Sequence, residues 1–92
     1  MYVGFIKDPD DDLDYAFDWS DWLDDGDSIE SYTIEADDGI TIHDDSLNDD
    51  ANMVVYWVSG GDVGSEYSVT CQITTKMGRD RSRTVIFRIK QK

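Results

Sequence analysis

"EYSVTCQITTKMGRDRSRTVIFRIK", residues 66–90, decides the fold class. Tyr67, Val69, Cys71 and Ile73 alternate with Ser68, Thr70, Gln72 and Thr74; after "KMGRDR", Val85, Phe87 and Ile89 alternate with Ile86, Arg88 and Lys90. Successive side chains of a strand point to opposite faces, so this pattern predicts two half-buried strands with one defined inner face. The glycine and polar residues between them make the pair a β-hairpin.

Working upstream, "MVVYWVSGG" (53–61) is a strand with apolar residues on both faces, closed by Gly60 and Gly61. "DDGITI" gives a turn and a short strand, and "HDDSLNDDAN" (43–52) is a polar stretch anchored only by Leu47. "SIESYTIEA" places Ile29 on one parity and Tyr32, Ile34 and Ala36 on the other, which a bulge near Ser31 reconciles by adding one residue. In "LDYAFDWSDWL" (13–23), Leu13, Tyr15, Phe17 and Trp19 alternate with Asp14, Ala16 and Asp18, predicting a strand over 13–19 with that set on the core. Gly26 supplies the turn that follows.

"YVGFI" (2–6) is an apolar run stopped by "KDPDDD". It reads as a strand in the protein's own sheet, or alternatively as part of an N-terminal arm over residues 1–12 donated to a partner. No window carries the 3.6-residue period of an amphipathic helix. About seven short strands in 92 residues predict an all-β, immunoglobulin- or fibronectin III-like antiparallel β-sandwich, one domain over 1–92. A small barrel is the competing architecture.

Charge is distributed unevenly. Acids outnumber bases 21 to 8, for a net −13. Eighteen of the acids lie between Asp8 and Asp50, and seven of the eight bases lie from Lys76 to Lys92. Such a chain is repelled by nucleic-acid phosphate, which leaves no nucleic-acid partner in view. No apolar run has the length of a membrane span, and "MYVGFIKDPD" lacks the basic and apolar regions of a signal peptide, so the expectation is folding in a cytosol. Cys71 is alone and sits in an alternating run as a small buried hydrophobe.

The sequence presents no catalytic constellation. The one histidine, His43, reads as a solvated loop residue beside Asp44 and Asp45, with nothing at triad spacing. "DPDDDLD" and "DWLDDGD" are rich in oxygen ligands, but an EF-hand register with Gly26 as sixth residue puts Leu23 third and Tyr32 twelfth, where ligands belong. A loose structural cation between loops is the remaining metal reading. The glycine clusters lack a phosphate-loop lysine and helix, and no zinc or iron ligand set exists. No cofactor is expected.

Trp22 follows the parity break and Trp57 has the opposite parity to Tyr56 and Val58. Either, if exposed, is a natural interface anchor. With Arg79, Arg81, Arg83 and Arg88 they make up the candidate partner-binding set.

Those residues carry a resemblance. "KDPD" (7–10), "DYAFDWSDWLDDGD" (14–27), "WVSGG" (57–61), "YSVTCQITT" (67–75) and the arginine-bearing final strand are similar to a family of small virion structural proteins of tailed bacteriophages and prophages, the phage fibre-tail adaptor proteins. The resemblance implies an immunoglobulin-like fold, no catalytic residues, and an adaptor in the tail, fibre or head–tail junction that contacts other virion proteins. It implies a place in the virion, reached from the host bacterial cytoplasm during assembly. A capsid decoration or adhesion module, binding carbohydrate or another surface, is the alternative.

The charge map suggests how contacts would form. Acid-rich and base-rich segments pair within the chain, or the acidic surface of residues 8–50 meets Arg79, Arg81, Arg83, Arg88 and Lys90 of a neighbouring copy, in a homo-oligomer, or the surface of another virion protein.

Overall fold

A computed structural model describes residues 3–91. Seven strands form two sheets: β1 (Val3–Lys7), β2 (Leu13–Asp18), β3 (Ile29–Ala36), β4 (Ile40–Leu47), β5 (Met53–Gly60), β6 (Glu66–Thr75) and β7 (Asp80–Ile89). One sheet has the order β1-β7-β6-β3, the other β2-β5-β4, and no helix occurs among the described residues. This is the all-β sandwich expected.

The hairpin that set the fold class is β6–β7, in continuous register from Glu66 opposite Arg88 to Thr74 opposite Asp80. Its inner residues Tyr67, Val69, Cys71, Ile73, Val85, Phe87 and Ile89 are buried against Phe17, Val54, Tyr56 and Val58 of the smaller sheet. Burying each large apolar side chain of this set contributes on the order of 1.5–3 kcal/mol. The shift in β3 falls between Ile29 and Ser31, where the parity switch placed it.

Three features differ from the sequence reading. First, pairing is not wholly antiparallel: β1 runs parallel to β7, with Phe5 opposite Phe87. The segment weighed as an arm is, from Val3 to Lys7, an edge strand of the larger sheet; Met1 and Tyr2 lie outside the described residues. Second, the polar stretch from His43 is not loop but the second half of β4, which continues to Leu47. Its alternation is hidden by a bulge between His43 and Ser46, where Asp44 has φ 51°. Third, Leu13 is 46% exposed, at the start of an edge strand and outside the packed core. Phe17 and Trp19 are buried as expected, although Trp19 lies just past the end of β2.

Each side of the sandwich is closed by a different contact. Between β1 and β2, the Phe5 and Tyr15 rings lie 5.0 Å apart and both pack on Phe87. Between β3 and β4, the Tyr32 hydroxyl donates to Asp45 at 2.7 Å. Burial and that carboxylate push the Tyr32 phenol up to about 12.

One end is closed by Lys7 and two glycines. The Lys7 side chain is buried, and its ammonium donates to the carbonyls of Asp8 at 2.7 Å and Gly60 at 2.8 Å, joining β1 to the end of β5. Gly61 adopts φ 100° against Ile89: a Cβ there would lie 2.8 Å from the Ile89 Cδ1. Only glycine fits that position without displacement.

Candidate interaction surfaces

At the opposite end, the β2–β3 connection folds over the β6–β7 turn. The amides of Trp22 and Leu23 both donate to the Trp19 carbonyl at 3.0 Å, which brings Trp22 back edge-on against Trp19, with ring centroids 5.7 Å apart. Arg83 lies over the Trp19 ring and Arg79 over the Trp22 ring, each at 4.2 Å from the centroid. Arg83 also donates to the Asp18 carbonyl at 2.6 Å, and Arg79 forms an ion pair with Asp24 at 3.0 Å. Arginine prefers such stacking because its planar, weakly hydrated cation sits well on an aromatic face.

Trp22, Arg79 and Arg83 are thus brought together, but against one another. They seal the end of the core where β7 changes from apolar to basic: Arg83 stands opposite Cys71 and Arg81 opposite Ile73, on the inner parity of the sheet. Arg81 is exposed and makes no ion pair among the described residues. Arg88 lies at the far end of β7, on the outer face, and donates to Glu66, its cross-strand neighbour, at 2.8 Å. Beside it a shallow groove of about 560 Å³ is lined by Gly4, Ile6, Ile86, Arg88, Glu66 and Asp37, among others.

A family model described as podophage GP4 fiber-tail adaptor protein gp77 matches residues 7–88. The chain belongs to this family. No curated protein matches it. The match begins at Lys7, the buried end of β1, and runs through β7 to Arg88.

Trp57 sits apart from the other candidates of this fiber-tail adaptor. It lies on the outer face of β5, 36% exposed, in one column with Met53 and Val55. Asp14 of β2 stands directly across from it on one side and His43 of β4 on the other. The His43 and Trp57 rings are 6.2 Å apart. His43 reaches Asp12 through Nε2 and Asp44 through Nδ1, both at 2.8 Å. These carboxylates, Asp12 first, raise the pKa of the imidazole above its ordinary value.

His43 is therefore a strand residue held by two acids, not a solvated loop residue. Sequence reading missed it because Asp12 becomes its neighbour only through the pairing of β2 and β4 with β5. Among the described residues, no group of three or more His, Cys, Asp or Glu side chains is placed to hold a metal. Cys71 is fully buried, and burial pushes its thiol up to about 12.

Proposed function

We propose that this fiber-tail adaptor is a non-enzymatic virion component that joins tail and fibre proteins of a podophage through protein–protein contacts. The family match over residues 7–88 carries the proposal. The surface chemistry supports it: the one histidine is engaged by two carboxylates with no nucleophile in hydrogen-bond contact, and the one cysteine is buried. What the surface does offer is a half-exposed tryptophan column and unpaired strand edges, the materials of docking.

The strand order supports an immunoglobulin-like reading. Strands β2-β5-β4 and β7-β6-β3 follow the division of B, E, D and G, F, C strands in that fold. In this reading residues 1–92 act as one sandwich domain, made in the host bacterial cytoplasm and carried into the particle.

The test is genetic and compositional. Mass spectrometry of purified particles of the encoding phage is expected to find the chain, and deletion of its gene is expected to leave tails without fibres. Its absence from purified particles, or fully fibred particles from the deletion strain, would overturn the proposal.

A further inference from the structure

We infer that the outer face of the three-stranded sheet docks a basic partner protein that seats an apolar side chain against Trp57, and that a second copy of this chain cannot serve as that partner. The inference rests on the proposal that the chain acts through protein contacts, and it names the face and the chemistry of what binds there.

Residues 8–75 contain no lysine or arginine. They include every strand of the smaller sheet and all its connections, so no lysine or arginine borders the outer column of Met53, Val55 and Trp57; its cross-strand neighbours are Asp14, Ala16 and Asp18 on β2 and Ser46 and His43 on β4, the last held by two carboxylates. Asp14 and Asp18 flank it on β2, and Asp12 and Asp44 stand beside His43 on the other side. An apolar centre within a rim of one charge sign is complementary to a surface that presents an apolar group within a rim of the opposite sign.

The chain cannot supply that basic rim to another copy of itself. Of its eight bases, Lys7 is buried, Arg79 and Arg83 lie on tryptophan rings, and Arg88 is paired with Glu66. Lys76, Arg81 and Lys90 are left on the described surface, in the turn before β7, near its start and just past its end, and Lys92 lies outside the described residues. The outer face of the larger sheet is otherwise dominated by Ser68, Thr70, Gln72, Thr74, Ser82 and Thr84. Cations so scattered do not complement the acid frame of a chain whose net charge is −13, and two such chains repel.

Nuclear magnetic resonance of the full chain with three short synthetic peptides tests this: one alternating lysine and leucine, one lysine and serine, one glutamate and leucine. The lysine–leucine peptide is expected to shift the Trp57 indole and the β5 and β2 amides. The other two should bind about tenfold more weakly or worse. Trp57→Ser and Asp14→Lys should each weaken the lysine–leucine peptide by about tenfold, and raising salt should weaken it too. Asp14 is exposed, so its variant keeps the test open if Trp57→Ser fails to fold.

Shifts centred on β7 or the β1 edge, or binding unaffected by both substitutions, would overturn the inference. So would a dimer in light scattering that Trp57→Ser dissolves. In phage particles the two proposals separate: wild-type chain absent from virions defeats the adaptor reading, whereas variants that enter virions as well as wild type defeat only the assignment of this face.

Discussion

The guanidinium of Arg83 lies 4.2 Å from the centroid of the fully buried Trp19 ring and donates to the carbonyl of Asp18, the residue just before that tryptophan. One side chain of β7 therefore holds both the ring and the backbone of the β2–β3 connection. It joins the two sheets at the end where β7 has no apolar residue to offer.

Arg83→Ala removes the stacked cation and the hydrogen bond together. The expected loss is about 1–3 kcal/mol of folding stability, read as a lower urea midpoint at unchanged slope. Trp19 fluorescence should move to longer wavelength as water reaches the ring. Arg83→Met, which keeps the covering stem without the charge, should recover part of the loss.

Gly61 and Gly64 make an internally controlled pair. Both have positive φ, at 100° and 89°, but a Cβ at Gly61 collides with Ile89 while one at Gly64 meets nothing within 4 Å. Gly64→Ala should cost about 1 kcal/mol from backbone strain alone. Gly61→Ala should cost clearly more, by about 1–3 kcal/mol, because Ile89 must also shift within the core. Thermal melts of the two variants side by side give the comparison.

His43 provides a pH prediction with a definite sign. Its pKa in the folded chain is raised, chiefly by Asp12 and then by Asp44, so the imidazolium is favoured by folding. The stability it adds is fully present below about pH 6.5, its unfolded value, and is lost as pH rises through the raised folded value. As the one histidine, it gives a single set of ring proton resonances whose midpoint should lie above that unfolded value. Asp12→Asn should lower the midpoint. A midpoint unchanged by that substitution would show that the Asp12 contact does not form in solution.

Cys71 should be silent toward thiol reagents in the native state. It is fully buried and its thiol is pushed up to about 12, so at pH 8 it is neither reachable nor ionised. Labelling should therefore track unfolding, and the logarithm of its rate should rise in the Arg83 and Gly61 variants in proportion to their lost stability. Rapid labelling of the folded wild type would contradict the packing of β6.

How much of this was legible in the sequence depended on the range of the interactions involved. The β6–β7 hairpin could be read because alternation is local and its turn is short; the bulge near Ser31 could be read because one extra residue leaves a parity error between Ile29 and Tyr32. The end of β4 could not, because a bulge with left-handed Asp44 breaks the alternation after Ile42 and the residues beyond it are polar up to Leu47. The parallel pairing of β1 left no local trace, since it is set by the distant β7. The candidate residues divided on the same principle. Parity set Trp57 on the face opposite to Tyr56 and Val58 but left open which of the two faces outward, whereas Trp22, Arg79 and Arg83 looked like surface groups until a turn and a strand many residues apart stacked them together.

The parallel pairing of β1 with β7 has a consequence during synthesis. Val3 stands opposite Val85, and β1 pairs with no other strand among the described residues, so its sheet partner is made only about 80 residues later. At about 5–20 residues per second, that is a wait of several seconds. Until then the end of β5 also lacks the Lys7 ammonium that caps it. A truncated chain ending before Arg79 has neither a finished larger sheet nor the arginines that cover Trp19 and Trp22, and it cannot present a completed sandwich to an assembling particle.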